Sequence, residues 1–159
     1  MKDIVDTRAV ETAKAEVYTI GYEGTNIDAF LTKLVAEGVE TLVDVRDLPL
    51  SRKKGFSKSK LQERVEAVGL NYLHIKALGD PREGRLAARA GEHERFVDIF
   101  CQHMRGDDAR AALFDLAALA RTTLTCLMCF ERCHRGCHRS IVVEQLAEIV
   151  SIKVKHLEV

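Results

Sequence analysis

Short apolar runs alternate along the chain with stretches in which apolar residues recur every three or four positions. EVYTIG (16–21), ETLVDVR (40–46), LNYLHI (70–75) and TLTCLMCF (123–130) read as strands, and IKVKHLEV (152–159) as a last one. Between the first two, Ile27, Phe30, Leu31, Leu34 and Val35 fall on one helical stripe, with Asn26 as its cap and Gly38 as its stop. Leu61, Val65 and Val68 mark a second helix, opened by Ser59 and Gln62 at capping-box spacing and closed by Gly69. Phe96, Ile99, Phe100 and Met104 give a third stripe, and Leu113, Leu116, Ala117 and Ala120 a fourth. Val142, Leu146, Ile149 and Val150 give the final helix. TLTCLMCF is nearly continuous in apolar residues, which predicts a central strand buried on both faces.

This alternation predicts an α/β fold: a single three-layer domain with a mostly parallel sheet of about five strands and helices on both faces. The domain is expected over residues 15–159, preceded by an N-terminal arm over 1–14. Right-handed crossovers bring every strand-to-helix loop to one edge of such a sheet, where ligands bind in open α/β folds. GYEG (21–24), DVRDLPLSRKKGF (44–56), HIKALGDPREGR (74–85) and CFERCHRGCHRS (129–140) therefore converge on one rim.

Composition changes this picture little. The chain has 159 residues, enough for one domain that buries roughly 70% of its unfolded surface. Lys+Arg and Asp+Glu are equal at 24, so any affinity for anions must come from local patches. No apolar run approaches the roughly 20 residues of a membrane span. The opening MKDIVDTRAVETAKAEV mixes acids and bases without the apolar centre of a signal peptide, so a cytoplasmic location with reduced thiols is expected. An odd count of five cysteines, four of them between 126 and 137, argues against a disulfide framework. Monomer and homodimer are both compatible with the neutral charge.

CFERCHRGCHRS holds three cysteines, two histidines and three arginines, and three chemistries compete for it. Cys133, Gly136, Arg139 and Ser140 spell the C-x-x-G-x-x-R-S of cysteine-dependent phosphatases, where backbone N–H groups and one arginine grip a phosphate. The bulky residues between them suit a tight anion cradle poorly. Cys129, Cys133 and Cys137, with His134 and His138, offer five ligands at loose zinc spacing, so a zinc or iron cofactor is compatible, although none is predicted. A third reading needs two thiols. Cys129 and Glu131 share a face in extended geometry, and Cys137 sits at a helix mouth beside Arg139. His138 then takes a proton from that thiol or from a substrate.

Other loops carry weaker signals. Asp44 and Arg46 lie on one face and are expected to pair at the sheet edge. Arg52, Lys53, Lys54, Lys58 and Lys60 form a run without acids, which is either a solvated loop or a phosphate grip with Phe56 stacking on a base. Gly79, Asp80, Pro81, Arg82 and Arg85 read as a turn-rich flap, and His93 and His103 as surface or edge residues.

YTIGYEG (18–24), DVRDLPLSRKKGFSKSKL (44–61), LNYLHIKALG (70–79), CFERCHRGCHR (129–139) and VKHL (154–157) together resemble the domain-of-unknown-function 488 family, from about Tyr18 to Val159. The resemblance maps the family pattern D-V-R-x-x-P-x-S-R onto Asp44, Arg46, Pro49, Ser51 and Arg52. It maps C-x-E followed by C-H-R onto Cys129, Glu131, Cys137, His138 and Arg139, and leaves Cys133 at a variable position. It implies a fold and a site, and no substrate. The expected site sets Cys129, Glu131, Cys137 and His138, as catalytic groups, opposite Asp44, Arg46, Ser51 and Arg52. Arg46, Arg52 and Arg139 bind a phosphate-bearing small molecule or nucleic acid, since the planar guanidinium suits phosphate oxygens. Cys137 is the expected nucleophile, or a redox partner of Cys129. The alternatives are a nucleic-acid-binding module without catalysis, and a metal-dependent or phosphatase-like enzyme using Cys133 and Arg139.

Overall fold

The computed structural model describes residues 14–159. The expected arm over 1–14 falls almost wholly outside the described residues. The strands are β1 (Ala15–Gly21), β2 (Thr41–Asp44), β3 (Asn71–His74), β4 (Thr125–Cys129) and β5 (Ile152–Leu157). They form one sheet in the order β3-β2-β4-β1-β5, with every pairing parallel. Among the described residues, six helices surround it: α1 (Ile27–Ala36), α2 (Lys58–Ala67), α3 (Arg82–Arg89), α4 (His93–Met104), α5 (Asp107–Ala120) and α6 (His138–Ala147). Among the described residues, none is long and apolar enough to cross a membrane.

The strand pleat separates the interior into two cores, giving three layers. Ile20, Leu42, Cys126 and Met128 face α1 and α2, where they meet Phe30, Leu34, Leu61 and Val65. Val17, Val43, Val45 and Leu127 face the opposite way, towards Phe96, Phe100, Leu113, Leu116 and Val142 of α4, α5 and α6. Each fully buried Leu, Val or Phe in these layers contributes roughly 1.5–3 kcal/mol of transfer free energy. β4 is buried at all five positions, as its continuous apolar sequence predicts, because it lies between β2 and β1.

Local details follow the side chains. Asn26 caps α1 by accepting a hydrogen bond from the Ala29 N–H at 2.9 Å, and Gly38 ends it with a φ of 76°, in the left-handed region. α2 begins two residues earlier than expected. Ser57 is its N-cap, Ser59 lies within the helix, and Gln62 donates to Glu66 along the helix face, so the expected capping box is absent. The expected flap is corrected more strongly. Pro81 leads directly into α3, a two-turn helix whose buried face is made of Gly84 and Ala87, too small to give an apolar stripe.

Candidate active site

β2 and β4 are neighbours whose outgoing chains part company. After β2 the chain runs to α2 on one face, and after β4 it runs to α6 on the other. A crevice opens between such strands at their carboxyl ends. The loop after β4 is stitched to the end of β1: Tyr22 N–H donates to the Cys129 carbonyl at 3.3 Å and Glu23 N–H to that of Phe130 at 2.8 Å. Gly21 permits this approach, since a Cβ there would lie 1.8 Å from the Glu131 carbonyl oxygen. The crevice holds a cavity of about 600 Å³, with Arg46, Ser51 and Arg52 on one side and Cys129, Glu131 and His138 on the other.

On the first side, Asp44 and Arg46 pair as their spacing predicts. The guanidinium grips the carboxylate with two hydrogen bonds, Nε to Oδ1 at 2.8 Å and Nη2 to Oδ2 at 2.7 Å. Tyr72 donates its hydroxyl proton to Oδ2 at 2.6 Å, and the Arg46 N–H donates to Oδ1 at 3.2 Å. Arg46 Nη1 also donates to Tyr22 Oη at 3.2 Å, which leaves two of its five N–H groups free to face the cavity. Burial opposes the Arg46 charge, and the Asp44 carboxylate outweighs it and holds the group firmly protonated. Burial and the adjacent carboxylate push the Tyr72 hydroxyl far above its ordinary value, so it stays a donor.

On the second side, Cys129 ends β4 and Cys137 is the N-cap of α6, with His138 and Arg139 in the first helical turn. His138 donates Nε2–H to the Val45 carbonyl at 2.7 Å, and Phe100 meets its ring edge-on at 5.2 Å. Nδ1 is thereby left to the sulfurs, 3.6 Å from Cys129 Sγ and 3.8 Å from Cys137 Sγ. Cys129 Sγ donates to Glu131 Oε2 at 3.1 Å. Burial alone would raise the Cys137 thiol, but hydrogen bonding with Cys129 and the His138 charge bring it well below its ordinary value. Cys129 moves the other way, raised by its hydrogen bond with Cys137, then by burial and the Glu131 charge. His138 is lifted to about 9: desolvation works against its charge, and the Cys137 thiolate prevails. Burial, then the Cys137 charge, raises the Glu131 carboxyl. The shared electrostatics thus favour loss of a proton from Cys137 over Cys129 and favour the charged form of His138.

Several expected residues stand elsewhere. Arg139 is fully buried beneath the loop and lies off the cavity wall. Its Nη1 donates to the Glu131 carbonyl, its Nη2 to that of Arg132 at 3.1 Å, and its Nε to Thr19 Oγ1 at 3.3 Å. In this arrangement it holds the loop in place and presents no fork to an anion. Cys137, 2% exposed, lies behind Cys129, which is 5% exposed and is the thiol on the cavity wall. Cys133 is exposed and does not line the cavity. His134 stacks on His156 with ring centroids 3.5 Å apart. Ser51 Oγ accepts from the Lys53 N–H at 3.1 Å and shapes the turn. Phe56, expected to stack on a base, is wholly buried against Tyr22, with ring centroids 4.4 Å apart. Lys53 turns inward to the Tyr22 and Thr25 carbonyls.

The cavity also takes in groups that sequence reasoning did not single out as site residues. Arg85 and Arg89 come from α3, and Arg85 bonds to Asp47 Oδ2 at 2.7 Å. Asp80 is buried in the wall, its Oδ1 without a hydrogen-bond partner among the described residues, and desolvation raises its carboxyl to about 6. Leu48, Leu50 and Phe130 line the mouth at 53%, 65% and 46% exposure. The signal for α3 was Pro81 followed by Glu83 in a run rich in Arg and Ala, a helix start without large apolar residues.

The family described as Domain of unknown function DUF488 matches residues 26–146, a span that includes both sides of the cavity. No curated protein and no solved structure matches the chain. On that match over most of its length, the chain belongs to the DUF488 family.

Proposed function

We propose that the protein is a small enzyme that takes a phosphate-bearing small molecule into the rim cavity and transforms it at the cluster of Cys129, Glu131, Cys137 and His138. One observation carries this reading: a single cavity has arginines on one wall and a buried thiol with an imidazole on the other. The side chains of Arg52 and Arg89 make no hydrogen bond or ion pair among the described residues, and Arg46 keeps two donors free. These cations offer planar forks to phosphate oxygens. Leu48, Leu50 and Phe130 at the mouth suit a ligand with an apolar or planar body, which favours a nucleotide over inorganic phosphate. The reacting end of the ligand then lies towards Cys129, Glu131 and His138.

A nucleic-acid-binding module fits less well. Its stacking residue, Phe56, belongs to the core, and Lys53 is engaged by carbonyls, which removes two of the groups that reading used. Calorimetric titration with pyrophosphate and with adenosine monophosphate tests the proposal. Saturable binding that weakens at least about tenfold, or roughly 1.4 kcal/mol, in an Arg52→Ala, Arg89→Ala double variant is expected. Binding unchanged by the double variant would place the anion elsewhere and remove the reading.

A further inference from the structure

We infer that Cys129, Cys137 and His138 together hold one soft divalent metal ion, zinc above all, at the inner wall of the cavity. The three ligand atoms lie within 4.8 Å of one another and all three residues are buried. Zinc–sulfur bonds of about 2.3 Å and zinc–nitrogen bonds of about 2.0–2.1 Å, set at a tetrahedral angle, require sulfur–nitrogen separations of about 3.6 Å. The observed separations from His138 Nδ1 are 3.6 Å and 3.8 Å. Both sulfur–nitrogen separations are therefore those of a tetrahedral zinc site.

The surroundings carry the inference further. A metal-bound histidine usually donates its second ring N–H to a carbonyl or carboxylate, which fixes the tautomer and aims the other nitrogen at the ion. His138 does this with the carbonyl of Val45, the residue just after β2, at 2.7 Å and 93 residues away in sequence. Phe100 packs against the ring, and the other two ligands come from the last residue of β4 and the cap of α6. Such rigid supports hold a coordination sphere better than a loop does. Thiolate and imidazole donors select zinc and its neighbours over magnesium or calcium.

Three protein ligands, two sulfur and one nitrogen, make the donor set of an open zinc site, in which a further position remains for water or substrate. Cys129 and His138 line the cavity, so an ion they hold is within reach of a ligand there. Glu131 stands beside Cys129, where it can take a proton from a bound water. Such an ion supplies a Lewis acid for a phosphoryl oxygen, or a hydroxide near neutral pH. The set differs from the five-ligand cluster that the sequence alone offers, since Cys133 is exposed and His134 faces His156.

The ion would deepen the proposed function, and its test is independent of any anion. Protein purified without chelator is expected to contain one equivalent of zinc per chain. Exchange for cobalt should give the visible bands of tetrahedral cobalt and a sulfur-to-cobalt charge-transfer band, and absorption fine structure should report two sulfur neighbours. Cys137→Ser should weaken zinc retention against a competing chelator by more than the roughly 10–100-fold typical of losing an outer-shell partner. Cys133→Ser and His134→Gln should leave it unchanged. If Cys137→Ser does not fold, the wild-type sulfur count still decides. No stoichiometric binding, or a first shell without sulfur, would overturn the inference. Protein that lacks the metal site but still binds pyrophosphate through Arg52 and Arg89 would leave the anion cavity standing; loss of both would end the two readings together.

Discussion

Two buried polar groups face each other across the cavity, and they are built on opposite plans. The Asp44 group is complete: both carboxylate oxygens are occupied by Arg46, Tyr72 and a backbone N–H, and each partner is oriented by the next. The Cys129 group is turned in on itself. Two sulfurs and an imidazole nitrogen converge on one small volume, with Glu131 touching only its edge. A satisfied network stabilises and positions, because buried donors and acceptors that find partners avoid the desolvation penalty. A group whose sulfurs and ring nitrogen converge on one small volume is a place for a ligand. Under the proposed function, the contrast gives the β2 side the role of scaffold and the β4 side that of chemistry.

The largest effect should come from breaking the scaffold. Asp44→Asn removes the counter-charge from a guanidinium that is almost wholly buried, and should cost roughly 3–5 kcal/mol in urea unfolding. Cys137→Ala in metal-free protein should cost less, roughly 2 kcal/mol or below. Equal losses would erase the distinction between the two sides. Gly21→Ala forces a Cβ against the Glu131 carbonyl, where it would lie 1.8 Å away, and should cost roughly 2–3 kcal/mol. The same change should loosen the loop after β4 and raise the alkylation rate of Cys129.

Asp80 sharpens the comparison from the other direction. Its carboxyl titrates near 6 in the folded protein, above the ordinary aspartate value, so the native state binds its proton more tightly than the unfolded state. Its penalty is absent below about pH 4 and grows as pH rises to about 6, where it levels off. Asp80→Asn should therefore stabilise the protein at pH 7 by roughly 2 kcal/mol and flatten the stability profile between about pH 4 and 6. A substitution that stabilises in the wall of a cavity marks a group retained for function. An unchanged profile would show that Asp80 finds a partner in solution. The smallest effect belongs to Cys133→Ser, expected within about 0.5 kcal/mol of wild type, as for an exposed residue without partners.

Much of this arrangement was legible in the sequence because periodicity reports burial. The five strands, the Asn26 cap and the central place of β4 all follow from where apolar residues recur. The rim followed from strand-to-helix order, and the Asp44–Arg46 pair from a two-residue spacing on one strand. Sequence fails where direction matters. Nothing in CHRS says that Arg139 turns inward to carbonyls while Arg46 keeps two donors towards the cavity. Phe56 carries the signature of a stacking residue within a basic loop, yet Tyr22 and Phe30 enclose it. α3 was hidden because its buried face is only Gly84 and Ala87, without the large apolar residues that make a stripe. The three-ligand set needs Val45, which no spacing rule could connect to His138.

That the arginine side and the thiol side serve one ligand is tested most directly by following iodoacetamide labelling of Cys129, resolved by peptide mass spectrometry, as pyrophosphate or adenosine monophosphate is added to metal-free protein. One shared cavity predicts saturable slowing of the labelling, at concentrations that match calorimetric binding, and its loss in the Arg52→Ala, Arg89→Ala double variant. Labelling that proceeds at the same rate while the anion is bound would contradict it.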